Sequence, residues 1–209
     1  MKLLHIISTP RGDASNTLKV SAAFLEAFAG TRKDWTMDTL DLFKEELPRV
    51  TAGVAQGKYG LLAGKDPVGD VKREWEAVRR HIERFLAADA YLLSVPMWNF
   101  GIPYALKHYI DVIVQPKYLF RYTASGPEGL VKGRRMVVIT SRGGDYSTDA
   151  FRKFDMQEPY LRMVFGFVGI TDMRFINAQP MDAMGPDARD KKIAEARALA
   201  EKIAQDDIE

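Results

Sequence analysis

Residues 2–17 read KLLHIISTPRGDASNT, and their interpretation decides the fold. Lys2 to Ser8 is short and apolar, as a strand buried on both faces is. Thr9 to Asn16 is loop, punctuated by Pro10, Gly12 and Asp13. From Thr17 to Ala29 the residues Val20, Ala23, Phe24, Ala27 and Phe28 recur at helical spacing, and Gly30 stands where a helix C-cap belongs. Strand, polar loop and helix in that order open a parallel α/β sheet.

The rest of the chain repeats the pattern. Trp35 to Leu42 alternates as a second strand, and the glycines 53, 57, 60 and 64 mark a segment expected to be irregular. Pro67 to Leu86 is a charged amphipathic helix with the stripe Val71, Trp75, Val78, Ile82 and Phe85. A third buried strand, Ala90 to Val95, ends at Pro96. A helix starts near Pro103 and turns Leu106, Tyr109, Ile110 and Ile113 inward. After an excursion over Gln115 to Arg135 come a fourth strand, Met136 to Ser141, a helix centred on Tyr160 to Phe165, a fifth strand, Met173 to Ala178, and a closing helix from about Ala188 to Gln205. The expected fold is α/β, a five-stranded parallel sheet with helices on both faces and right-handed crossovers, in one domain over residues 1–209.

Composition narrows the function classes. Of the 209 residues 46% are hydrophobic and 28% charged, which suits a chain with a real core. The net charge of +2 is spread along the chain, so no basic stripe points to nucleic acid. There is no cysteine, which excludes disulfides and thiolate chemistry and fits a reducing cytoplasm. No apolar run reaches the length of a membrane span. His5, His81 and His108 do not cluster and form no metal-binding pair motif, so no metal site is expected. Arg79, Arg80 and His81 read as a solvated helix face, His108 and Asp111 as a surface or packing pair, and Asp206, Asp207 and Glu209 as a solvated terminus.

Ligands of open parallel sheets bind outside the carboxyl ends of the strands. Three strands end in loops suited to that: STPRGDASNT, PMWNFGIP and SRGGDYS. The first enters a helix, whose free N–H groups attract phosphate, with Ser15, Asn16 and Thr17 adding side chains at that end. Ser15 serves equally as an ordinary N-cap. The second sets Met97, Trp98, Asn99 and Phe100 where a flat ring needs apolar contact and a few polar groups, although such aromatics also fill cores. The third, Ser141-Arg142-Gly143-Gly144, offers unscreened amides and an arginine for negative charge developing on a redox ring, or is simply a glycine turn.

Taken together, PMWNF (96–100), FRYTASGPEGLVKGRR (120–135), TSRGG (140–144) and GFVGITD (166–172) resemble the FMN-dependent NADH-azoreductase family, also described as FMN-dependent NADH:quinone oxidoreductases. The resemblance spans nearly the whole chain. It implies a flavodoxin-like fold, bound FMN, a homodimer with sites at the subunit interface, and two-electron transfer from NADH or NADPH to quinone or azo acceptors by a ping-pong mechanism. It places FMN contacts on Thr9, with Ser8 beside it, then Ser15, Asn16, Thr17, Met97, Trp98, Asn99, Phe100, Ser141, Arg142, Gly143 and Gly144. No protein side chain is implied as a catalyst, since the flavin does the chemistry. Phe120, Tyr122 and Phe167 are candidates for lining the substrate pocket, with core packing the competing role of Phe167. Trp98 stands where the family usually has Tyr, and Thr9 where Ser is usual. The alternatives are a flavodoxin-like electron carrier, which the charge of +2 disfavours, or another FMN- or phosphate-binding protein on the same fold.

Overall fold

Apolar runs short enough to be strands, each followed by a polar loop and an amphipathic stripe, produce alternating elements. In a computed structural model that describes residues 1–182 and 185–206, these are β1 (Lys2–Ile7), α1 (Asn16–Thr31), β2 (Thr36–Asp41), α2 (Ala52–Leu62), α3 (Gly69–Leu86), β3 (Ala90–Ser94) and α4 (Tyr104–Ile113). Then follow β4 (Phe120–Thr123), β5 (Gly126–Gly129), β6 (Arg135–Ser141), α5 (Asp149–Arg152), α6 (Glu158–Phe167), β7 (Asp172–Ala178) and α7 (Gly185–Gln205). A short 3₁₀ turn, Gly12–Ala14, precedes α1.

The main sheet has the order β2-β1-β3-β6-β7 and is parallel throughout. The chain runs outward from β1 to β2, then returns past β1 to β3, so the order reverses between β1 and β3. Alternate side chains face opposite layers, as the strand repeat of two requires. Leu4, Ile6, Tyr91, Leu93, Met136 and Val138 pack with α2, α3, α4 and α6. Leu3, Ala90, Leu92, Val137, Ile139 and Ile176 pack with α1 and α7. β4 and β5 form a separate antiparallel hairpin. No described helix is long and apolar enough to cross a membrane.

Several expectations are corrected. Residues 53–64 are not irregular but lie mostly in α2, capped by Thr51, whose Oγ1 accepts the Val54 amide at 3.1 Å. One of its glycines serves packing: a Cβ on Gly57 would stand 1.9 Å from Trp75 Nε1, which donates to the Val54 carbonyl at 3.1 Å. Gly30 lies inside α1 rather than capping it, because the helix runs on to Thr31. His81 is buried, packed edge-on to Tyr109 at 6.3 Å, so only its arginine neighbours are solvated. His108 meets the Pro48 carbonyl at 2.9 Å, while Asp111 pairs with Lys107. Asp206 is exposed and pairs with Arg174 at 3.4 Å, and Asp207 and Glu209 lie outside the described residues.

Candidate cofactor site

Because β1, β3 and β6 are neighbours in the sheet, their three loops leave it side by side. Backbone bonds continue the ladder past the strand ends. Ser8 N–H donates to Ser94 O, Val95 N–H to Ile139 O and Met97 N–H to Ser141 O, each at 2.9 Å. The first and third loops are also joined by the hydroxyls of Thr17 and Ser141, 2.7 Å apart. Thr9, Ser15, Asn16, Met97, Trp98, Ser141, Arg142 and Gly143 line one cleft at the switch in strand order. Of the remaining candidates, Thr17 spends its hydroxyl on Ser141, and Asn99, Phe100 and Gly144 do not form the cleft wall.

The floor of the cleft suits an anion. Ser15 caps α1, its Oγ accepting the Leu18 amide at 3.4 Å and its carbonyl the Lys19 amide at 3.1 Å. The amides of Asn16 and Thr17 donate to no acceptor among the described residues. These orphan donors sit at the positive end of a 16-residue helix, so a phosphate has both hydrogen bonds and field. Ser15 is thus cap and site wall at once. The buried Ser8 hydroxyl, at the same strand tip, also has no partner among the described residues.

The second loop is a tight turn. Trp98 and Gly101 exchange both backbone bonds, at 3.0 and 2.9 Å, while Asn99 and Phe100 take φ of +48° and +70°. Two successive left-handed residues, one of them aromatic, cost about 1–2 kcal/mol each. The turn is held from behind: Phe100 O accepts the Met156 amide at 3.0 Å, and Val95 O accepts Gln157 Nε2 at 3.0 Å. Phe100 therefore stands half exposed at the lip, 6.0 Å from the Phe154 ring. Trp98 packs at 5.9 Å on Phe43.

The third loop corrects one assignment. The Arg142 guanidinium does not present itself as a free charge to the cleft. It is 2% exposed and committed to Thr140 Oγ1 at 3.1 Å, Gln157 Oε1 at 3.1 Å and Asp155 Oδ2 at 2.9 Å. Burial lowers its pKa from the ordinary value, while Asp155 and Glu158 oppose that shift. Through Gln157 it braces the third loop against the second. A Cβ on Gly143 would stand 2.9 Å from Asp182 Oδ2 and push that carboxylate aside, whereas at Gly144 a Cβ meets only an ordinary contact at 3.5 Å.

Sequence reading missed Arg11, Met181 and Asp182, which also line the cleft. Arg11 lay within the quoted loop. Met181 and Asp182 follow β7, and the carboxyl-end rule that picked out the other three loops applies to them too. Phe120, Tyr122 and Phe167 do gather, with Phe120 5.8 Å from Tyr122 and 4.7 Å from Phe167. They do not line this cleft. Phe120 is buried as the hairpin's anchor, while Tyr122 is 65% exposed.

Free amides, hydroxyls, a strained aromatic turn and a glycine loop at one switch point fit a flat ring bearing a single phosphate. Comparison with known proteins agrees. Residues 1–204 match the family described by the flavodoxin-like fold. An FMN-dependent NADH:quinone oxidoreductase of Nitratidesulfovibrio vulgaris is 37% identical over 205 residues, 97% of each chain. One from Rhizobium meliloti is 39% identical over 202 residues, 94% of this chain and 93% of that protein. The crystal structure of an FMN-dependent NADH-azoreductase from Bacillus anthracis in complex with FMN superposes with a TM-score of 0.85 at 29% identity, covering 97% of this chain and 99% of that one. The chain belongs to the flavodoxin-like family that includes these NADH:quinone oxidoreductases.

Proposed function

We propose that this chain is a single-domain FMN-dependent oxidoreductase that carries two electrons from NADH to quinones and azo compounds. The observation that supports it most directly is the convergence of the β1, β3 and β6 loops on one cleft floored by the unpaired amides of Asn16 and Thr17. In this reading the phosphate is held by those amides with Ser15 and the Asn16 side chain, and Arg11 adds charge at the lip. Thr9 contributes its hydroxyl. Met97, Trp98, Asn99 and Phe100 bear on the ring, and Ser141, Gly143 and Gly144 bring backbone close to its polar edge. Bound FMN supplies the two-electron chemistry, accepting hydride from the nicotinamide and returning the electrons to the acceptor. The residues position it and keep its surroundings rigid, which is the protein's share of such catalysis. Arg142 acts through the brace rather than by direct contact of its guanidinium.

Donor and acceptor use one place in turn, so the mechanism is ping-pong. The protein works in the cytoplasm as a homodimer, in which the Phe120, Tyr122 and Phe167 group of one copy covers the open side of the other's cleft. That accounts for its absence from the cleft wall of its own chain.

The test is optical and kinetic. The purified protein should be yellow, be bleached by NADH without a protein partner, and recover its colour on adding quinone. Initial rates at several quinone concentrations should give parallel double-reciprocal lines, and sedimentation should report a dimer. A colourless protein that cannot be reconstituted with FMN overturns the proposal.

A further inference from the structure

Arg142 stands in a wall between two hollows. One is the cleft described above. The other is larger, about 400 Å³, and is lined by Tyr146 and Ser147 after β6, by Arg152 on α5, and by Asn177 and Gln179 at the end of β7. Nothing in the proposed flavin site uses it.

Its charges do not balance. Three guanidinium groups meet two carboxylates. Asp155 answers Arg142 at 2.9 Å, and Glu158 is gripped by Arg162 at 2.9 and 2.7 Å. Arg152 is left over. Its acidic neighbour Asp149 lies 3.7 Å away with both side chains exposed, so water screens the pair. One Arg152 N–H is spent on the Ser147 carbonyl at 3.1 Å.

The hydrogen bonding is lopsided in the same sense, because the acceptors are taken and donors remain. Asn177 Oδ1 accepts from Thr140, Gln179 Oε1 from the Tyr146 amide, and Asp155 Oδ1 from the amides of Gln157 and Glu158. Arg142 Nη2 is buried with no hydrogen-bond partner among the described residues, and Glu158 Oε2 lies 3.7 Å from it. Gln179 Nε2 and the Tyr146 hydroxyl donate to nothing among the described residues. A hollow with surplus positive charge and idle donors selects a ligand rich in acceptors and negative charge, and guanidinium geometry matches phosphate. Tyr146 adds an aromatic face.

We infer that this hollow binds the adenosine-phosphate half of the reduced nicotinamide dinucleotide. The inference rests on the proposed function. A donor whose nicotinamide meets a flavin in the cleft must extend beyond it, and the hollow is the neighbour that shares Arg142 in its lining. It carries the two features of that half, a phosphate-seeking set of donors and a ring to meet a purine.

The experiment compares NADH with reduced nicotinamide mononucleotide, which carries the same hydride but lacks the adenosine phosphate. It uses the FMN-loaded wild type and the exposed-site variants Arg152→Ala and Arg152→Lys. Arg152→Ala should raise KM for NADH about tenfold, the effect of one charged contact, with kcat unchanged and with KM for the mononucleotide unchanged. Arg152→Lys should recover part of the loss. ADP-ribose should compete with NADH in the wild type, more weakly in Arg152→Ala, and inorganic phosphate at equal concentration should not. A wild type that oxidises both donors with equal KM, or an Arg152→Ala that impairs both equally, overturns the inference and leaves the proposed function standing. A wild type that holds no FMN and oxidises neither donor overturns both.

Discussion

At the residue scale, the buried polar groups make the sharpest statements. His5 is 4% exposed beneath the cleft, its Nε2 2.8 Å from Ser94 Oγ, which meets Ser21 Oγ at 2.6 Å. Burial lowers its pKa to about 4, with Asp41 opposing. An unfolded chain protonates its histidine near pH 6.5, so between there and pH 4 the unfolded state holds a proton that the folded state refuses. Stability therefore falls as pH drops through that window, by up to about 3 kcal/mol, and is unaffected above it. Urea unfolding of the FMN-free protein should show this slope, and His5→Gln should flatten it; equal slopes would mean that His5 is protonated in the fold. Tyr109 is wholly buried with its hydroxyl unpaired among the described residues, and burial raises its pKa. Tyr109→Phe should raise the unfolding free energy by about 1 kcal/mol, and a loss of that size in thermal melts would reveal a hidden partner. Single residues were also where sequence reading reached least far. The direction of Arg142 depends on Asp155, Gln157 and Glu158, which no local pattern ties to it. The burial of His81 depends on Tyr109 in another helix.

At the element scale, the five sheet strands were legible because each is a short apolar or alternating run bounded by punctuation, and α1, α3 and α4 because their stripes repeat at helical spacing. α2 was not, since the three glycines within it mask it, and Trp75 on the neighbouring helix explains the one at position 57. This gives opposed expectations for one substitution. Gly30→Ala in α1 meets nothing within 4 Å and should stabilise by about 0.5–1 kcal/mol. Gly57→Ala puts a methyl into Trp75 and should instead destabilise by about 1–3 kcal/mol. Denaturant midpoints measured side by side decide it, and a stabilised Gly57→Ala would show that α2 can lift off α3. The hairpin of β4 and β5 was missed for another reason. Of its eight residues only Phe120 is buried, so no alternation betrays it, and it is held by Phe120 against Phe167 and by Gly129 against the Val168–Gly169 backbone.

At the scale of the whole molecule, the cleft was readable where its residues directly follow strands, and its donor-rich neighbour was not, because that hollow draws on α5, α6 and β7 together. Ligand binding should register globally. If FMN binds only the folded chain, free FMN at a hundred times its Kd adds about 2.7 kcal/mol to the unfolding free energy, which a melt with and without FMN measures. The sandwich of α1 and α7 on one side of the sheet also sets a timetable for synthesis. Leu3, Val20, Phe24 and Phe28 are made well before the residues that roof them, Ile193, Ala196, Ala200 and Ile203 of α7. Until α7 emerges, the nascent chain carries a naked greasy flank, a natural landing place for chaperones, and a chain cut short ahead of Gly185 is bound for aggregation or degradation.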